Sequence, residues 1–296
     1  MELLAPAGGM EQLKAALRFG ADAVYGGMKQ YGLRAFAGNF DEAALAEAAE
    51  LCHRQGAKFY VTMNILPTDK ELDGFAEAGK TALRCGADAA IVSDLGACLI
   101  LHERVPGLPI HISTQANVMN APTALHLHRA VGAERIVLSR ELSMEDIRGM
   151  RALLPSELEL EGEEAFRRAV PDLMRELNKA SHRKSNTGFY FGAPQPVAGA
   201  EGFSQTMEYV GDVLEAAVPD EPALIRLKNR FYVGDELEAL TPTGSHPFTV
   251  ESMMLAETGE SIQTASVAGT LLRLRFPFPV APGDLLRGPN RNHQQG

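Results

Sequence analysis

Residues able to do chemistry gather where apolar runs end. From Pro109 to Asn120 the chain reads Pro-Ile-His-Ile-Ser-Thr-Gln-Ala-Asn-Val-Met-Asn, a β-branched run that closes in hydrogen-bonding side chains. Strand alternation sets Ile110 and Ile112 on one face and His111, Ser113 and Gln115 on the other. Other apolar runs close the same way, in Tyr25-Gly26-Gly27, in Thr62 with Asn64, in Ser93-Asp94 and in Ser139-Arg140-Glu141. Arg34 and Arg140 suit a ligand with two carboxylates, because a guanidinium meets a carboxylate in two-pronged geometry. Salt bridges to Glu141 or Asp94 are the equal alternative. Asn39, Asn64, Gln115 and Asn117 supply uncharged amides that can orient a polar ligand, more of them than turn chemistry needs. Tyr25 either lines that pocket or fills the space behind it. The catalytic candidates are His111, Ser113 and Asp94. His111 lies deeper on its strand, where a satisfied core histidine is the simpler reading and a general base the alternative.

A peptidase needs an activated nucleophile or a metal. Neither Gly-x-Ser-x-Gly nor His-Glu-x-x-His occurs, and Ser113 sits on a strand without the elbow that exposes a nucleophile.

The elements that must position these residues repeat over the first 160 positions. Gly20-Ala21-Asp22-Ala23, Gly56-Ala57-Lys58-Phe59, Gly86-Ala87-Asp88-Ala89 and Gly132-Ala133-Glu134-Arg135 each follow a helical pattern and precede a short apolar run. Glycine after a helix takes the left-handed cap, and the chain then enters a strand. The pattern predicts strands at 3–4, 23–25, 59–64, 89–93, 110–114, 135–138 and 158–160. It predicts helices at 10–19, 41–55, 70–85, 95–105, 122–131 and 143–154. Ser143 with Asp146 resembles a capping box. Alternating strands and helices imply a parallel sheet, and polar residues at nearly every strand end favour a TIM-like (β/α) barrel over a doubly wound sheet. Only seven strands are found, so the barrel is open or a segment is missing.

After residue 160 the pattern changes. A helix is expected to about Ala180, so the barrel domain is assigned to 1–184. Residues 185–202, rich in Gly, Pro, Ala and Asn, read as a linker whose Phe189, Tyr190 and Phe191 pack at a domain seam or stack on a ligand. Residues 203–288 read as a small all-β barrel, with strands at 209–218, 224–227, 236–240, 248–253 and 271–276. Residues 289–296 read as a disordered tail.

The chain has 296 residues, 45% hydrophobic and 22% charged, with net charge −10. No run approaches the length needed to span a bilayer and no leader is evident, so a cytoplasmic protein without a membrane partner is expected. A basic coat is excluded, and nucleic-acid contact must be local. The places for it are Lys179 with His182, Arg183 and Lys184, then Arg226, Lys228 and Arg230, then Arg273 and Arg275; ordinary solvated charges are the simpler reading. The three cysteines, Cys52, Cys85 and Cys98, form no close pair and read as packing residues rather than metal ligands.

Several motifs together carry a resemblance. Glu2-Leu3-Leu4-Ala5-Pro6-Ala7-Gly8, Ala21-Asp22-Ala23-Val24-Tyr25-Gly26-Gly27, Leu33-Arg34-Ala35 with Ala37-Gly38-Asn39-Phe40, Ser113-Thr114-Gln115-Ala116-Asn117 and Ser139-Arg140-Glu141-Leu142 resemble the collagenase-like peptidase family U32. So do Ser181-His182-Arg183, Thr187-Gly188-Phe189 and Gly283-Asp284-Leu285-Leu286-Arg287. The resemblance implies an iron-sulfur hydroxylase of RNA bases or of the ubiquinone ring. It is strongest for the proteins that hydroxylate the wobble uridine of transfer RNA, with prephenate as the implied hydroxyl source. It also implies a cysteine cluster after the seventh strand. Here Glu157-Leu158-Glu159-Leu160-Glu161-Gly162 splices the seventh strand to an eighth-strand motif, and the cluster cysteines are missing. An internal deletion of on the order of a hundred residues explains both, since a full barrel needs roughly 250. The expectation is a chain without redox activity or a cofactor of its own. It would bind a small carboxylate near Arg34 and Arg140 and transfer RNA through Arg226, Lys228 and Arg230. A collagenase-like protease and a non-catalytic RNA-binding or scaffold protein are the alternatives.

Overall fold

A computed structural model describes residues 2–32, 39–160, 182–183, 203–204 and 207–290. The chain forms two compact units. The first holds parallel strands β1 (Leu4–Ala7), β2 (Ala23–Gly27), β3 (Lys58–Met63), β4 (Ala89–Val92), β5 (Ile110–Ile112), β6 (Arg135–Ile136) and β7 (Glu159–Leu160). They pair in sequence order, leaving β1 and β7 at the edges among the described residues. Six helices lie between them: α1 (Met10–Arg18), α2 (Glu42–Arg54), α3 (Leu72–Arg84), α4 (Leu95–Arg104), α5 (Ala121–Val131) and α6 (Met144–Leu153). This is an incomplete, TIM-like arrangement. No helix among the described residues is long and apolar enough to cross a membrane.

Local chemistry explains the punctuation. Asp41, Asp94, Asn120 and Ser143 cap four of the helices, and Ser143 and Asp146 complete a reciprocal capping box. Each such cap contributes about 1 kcal/mol. Gly132 ends α5 at φ 64°, a left-handed position that a side chain would strain.

Period-two alternation divides β2 to β6. Val24, Phe59, Val61, Ala90, Val92, Ile110, Ile112 and Ile136 face the helices and share one core with Leu13, Leu45, Phe75 and Leu101. Ala23, Tyr60, Ala89 and Ile91, with Tyr25 and Leu4 against them, form a separate cluster on the opposite face. Burying each large apolar side chain stabilises the sheet-helix sandwich by about 1.5–3 kcal/mol. It also leaves the second face free to carry polar groups.

The second unit is antiparallel. Its main sheet contains β10 (Met207–Val213), β11 (Pro222–Leu227), β13 (Glu236–Thr241), β14 (Gly244–Thr249), β15 (Met253–Leu255), β16 (Ser261–Ile262), β18 (Leu271–Arg275) and β19 (Leu285–Pro289). The order is β14-β13-β19-β10-β11-β18-β15-β16. Two short pairs stand outside it, β8 (His182–Arg183) with β9 (Phe203–Ser204) and β12 (Phe231–Tyr232) with β17 (Thr264–Ala265). Val210, Ile225, Leu227, Leu237, Leu272, Leu274 and Leu286 fill its core.

The structure corrects the expected strands here. The single strand at 248–253 is two, because β13 and β14 make a hairpin that ends at Thr249 before β15 begins at Met253. Pro247 is tolerated because β14 is an edge strand. The strand expected to run to Val218 ends at Val213. β19 was not expected at all and includes Pro289, where the tail was to begin. Asn290 is buried, and the remainder of that tail lies outside the described residues. So do the linker 185–202 with its three aromatics and the helix expected after Glu163.

Candidate functional site

A cavity of about 430 Å³ opens at the C-terminal ends of the parallel strands. Leu4, Ile91 and Val137 line it with apolar surface, and Tyr25, Asn39, Thr62, Asn64, Ser113, Thr114, Gln115 and Arg140 supply its polar groups. Tyr25 therefore lines the pocket, one of the two positions left open for it.

The polar rim is set by backbone features. β5 ends at Ile112, and Ser113 begins a short 3-10 turn, Thr114–Ala116, in place of the longer strand expected. The Ser113 hydroxyl accepts from the Gln115 N–H at 3.4 Å, and Thr114 Oγ1 donates to the Leu138 carbonyl at 3.1 Å. Asn117 closes the turn in the left-handed region at φ 53°. It is exposed and is not among the cavity residues. Asn39 also has a positive φ, 34°.

The electrostatics favour an anion. No Asp or Glu among the described residues lines the cavity. Arg140 is exposed and makes no ion pair with a described residue. Of its two expected acidic partners, Glu141 feels the Arg140 charge without forming an ion pair, and Asp94 is engaged elsewhere. Glu141 accepts from the Ser139 hydroxyl, which holds its carboxyl below the usual range. Asp94 caps α4 by accepting from the Ala97 N–H at 2.8 Å. Gly8 lines the cavity, and α1 begins two residues later with no side chain capping its first turn, so the positive end of that helix opens nearby. The signal for this feature was the Gly8-Gly9 pair between a strand and a helix. Arg34, the other expected guanidinium, lies outside the described residues.

The catalytic candidates separate. Ser113 lines the cavity, Asp94 serves as a helix cap, and His111 is buried towards the opposite end of the strands. There the His111 ring meets the Tyr60 ring edge-on at 4.7 Å. The Tyr60 hydroxyl donates to Glu2 at 2.7 Å, and Arg135 binds both Glu2 and, through Nε at 2.8 Å, Glu159. Arg135 also stands 5.4 Å over the Tyr60 ring. Burial, then the Arg135 charge, pushes the His111 pKa down to about 4. Burial and then the Glu2 bond push the Tyr60 hydroxyl up. No hydrogen bond joins His111 to Ser113 among the described residues, so no nucleophile-base pair is formed.

The cysteines do not fit an iron-sulfur cluster, which needs thiolates that converge. Cys52 is buried in α2, Cys98 is buried in α4, and the Cys85 thiol, at the end of α3, reaches the Glu42 carbonyl at 3.5 Å. Desolvation raises the Cys52 thiol to about 11 and Cys98 to about 12, which disfavours the thiolate that a metal needs. Among the described residues no group of three or more His, Cys, Asp and Glu could hold a metal.

In the second unit, Arg226 and Lys228 share Asp212, at 2.8 and 3.4 Å. Lys228 also lies 5.9 Å over the exposed Tyr209 ring. Arg230 is exposed.

Comparison with known proteins accords with this layout. Residues 8–163 match peptidase family U32, and residues 205–287 match the peptidase family U32 C-terminal domain. The chain belongs to peptidase family U32. It is 39% identical to the tRNA hydroxylation protein P of Escherichia coli, over 54% of this chain and 35% of that protein. It is 36% identical to a collagenase of Porphyromonas gingivalis, over 50% of this chain and 35% of that protein. It is also 36% identical to the 23S rRNA 5-hydroxycytidine synthase of Escherichia coli, over 54% of this chain and 24% of that protein. This chain thus spans about a third of the length of the first of these relatives.

Proposed function

We propose that this U32 chain is a transfer-RNA-modification protein that binds a small carboxylate of the prephenate kind and contacts RNA through its antiparallel unit. In this shortened form it carries out no redox step of its own. The observation that supports the reading is Arg140: a guanidinium without a described ion-pair partner, on a cavity whose described lining has amides and no carboxylate. The hydroxylation names of two relatives supply the RNA. We further take the first unit as a TIM barrel shortened by an internal deletion, the second as a small β-barrel, and the compartment as cytoplasmic.

The test is thermal unfolding with and without prephenate. At a hundred times its dissociation constant, a ligand that binds only the folded state adds about 2.7 kcal/mol, enough to raise Tm by several degrees. Prephenate is expected to do so for the natural chain and, at the same concentration, to add only about half as much, about 1.4 kcal/mol, to an Arg140→Ala variant that binds tenfold more weakly. An unchanged Tm at millimolar prephenate removes the carboxylate reading. Cleavage of gelatin or casein would instead favour the collagenase relative, for which the geometry offers no activated nucleophile.

A further inference from the structure

Gly27 has no backbone reason to be glycine. It ends β2 in register with Thr62, outside the set of positive-φ residues. A strand glycine is destabilising relative to alanine, and such a residue often marks a close approach. Here the approach is specific. A Cβ built on Gly27 would lie 3.0 Å from Asn39 Oδ1 and 3.2 Å from Thr62 Oγ1, and all three residues line the cavity. The neighbouring Gly26 does the matching task on the other face, where a Cβ would lie 2.5 Å from the Phe40 ring. The two glycines let the segment Asn39-Phe40 lie directly on the strand end. That placement is fixed by a bridge between Met28 and Phe40, by the Phe40 N–H donating to the Gly27 carbonyl at 2.9 Å, and by Phe40 packing edge-on to Phe59. Phe40 anchors the segment in the core, and Asn39 delivers an amide to the cavity.

The cavity therefore has two kinds of polar group: the charge of Arg140, and uncharged oxygens and amides gathered over Gly27. We propose that Asn39, given room on the strand end by Gly27, distinguishes a hydroxy- or keto-acid from a plain carboxylic acid in this cavity. The proposal rests on the reading that Arg140 binds a carboxylate there. Asn39 hydrogen-bonds the ligand's hydroxyl or carbonyl oxygen, which a plain acid lacks, and Gly27 keeps the amide within reach.

Three probes share one carboxylate and one ring, namely phenylpropionate, phenyllactate and phenylpyruvate, and their affinities can be measured by titration calorimetry. The natural chain is expected to bind the two oxygenated acids about tenfold more tightly, the worth of one added hydrogen bond to a satisfied site. Asn39→Ala should abolish that preference while leaving phenylpropionate within about twofold, and Gly27→Ala should do the same by displacing the amide. Thr62→Val, which keeps the shape, should reduce the preference in part and guards against a Gly27 variant that fails to fold. Equal affinity for all three acids in the natural chain overturns the proposal, as does an Asn39→Ala variant that weakens all three alike. If no probe binds, or if Arg140→Gln leaves every affinity unchanged, the carboxylate reading itself fails and takes the proposal with it.

Discussion

At the N-terminal ends of the parallel strands, Glu2, Tyr60, Arg135 and Glu159 are bonded to one another; at the C-terminal ends, Tyr25, Thr62, Gln115 and Arg140 line a cavity. On β3 the two sets are only two residues apart, Tyr60 in the first and Thr62 in the second. The lower arginine is 8% exposed and holds two carboxylates, whereas the upper one has no ion pair among the described residues. Residue type alone does not separate a structural group from an available one. Partner count does, and the two arginines test the distinction directly.

The largest effect is expected from the lower one. Arg135→Met leaves Glu2, itself 21% exposed, without its cation. Removing one member of a buried pair costs about 3–5 kcal/mol, and the exposure of Glu159 places this case at the lower end. Tm should fall by several degrees. A loss below about 1 kcal/mol would mean that solvent already satisfies the floor.

His111 makes the same comparison through pH. Burial, then the Arg135 charge, holds its pKa at about 4 against an ordinary 6.5, while Glu2 and Glu159 act in the opposite sense and Lys58 with Arg135. A group whose charged form is disfavoured by folding contributes its full stability above the unfolded value. That contribution is lost as pH falls from about 6.5 towards 4, at up to about 1.4 kcal/mol per pH unit, or about 2 kcal/mol by pH 5. His111→Phe preserves a ring against Tyr60 and should remove this slope from a plot of stability against pH. Glu2 adds a second loss only at lower pH. Burial alone would raise its carboxyl, but the bonds from Arg135 and Tyr60 outweigh burial, and its net direction is down.

Arg140→Ala is the contrast. An exposed side chain without a described ion pair should change stability by no more than about 0.5 kcal/mol. Carboxylate affinity should nevertheless fall about tenfold, or about 1.4 kcal/mol. Equal losses of stability at Arg135 and Arg140 would erase the distinction between the two ends.

The upper set was legible in the sequence and most of the lower set was not. Ser113, Gln115 and Arg140 stand directly after β-branched runs, so a period of two and a strand end suffice to place them. Glu2 and Arg135 are 133 residues apart, and nothing local to either announces the other. His111 was placed deeper on its strand by alternation, but its partners were not foreseen. Gly27 was read only as part of the polar strand end Tyr25-Gly26-Gly27, because nothing in a Gly-Gly pair shows that it makes room for Asn39. In the second unit, Leu285–Pro289 ends in Gly-Pro and reads as a terminus. Gly288 instead sits in the central strand β19, where a Cβ would lie 2.7 Å from Leu237.

The smallest effect separates cations within the second unit. If transfer RNA docks on the face bearing Arg226, Lys228 and Arg230, the three should not contribute equally. Arg226 and Lys228 already share Asp212, so an RNA phosphate must compete with that carboxylate for both. Exposed Arg230 makes no ion pair with a described residue and so has no such competitor. Arg230→Glu should therefore weaken binding about threefold, an exposed-charge effect of less than 1 kcal/mol. It should also lower the slope of log affinity against log salt by about one. Arg226→Glu brings two carboxylates together beside Lys228, so its loss of affinity should be accompanied by a loss of stability, whereas the Arg230 variant should melt like the natural chain. Filter binding across a salt series, with melting curves for the same variants, reads both quantities. Equal salt slopes for all three reversals and the natural chain would exclude this face from RNA contact.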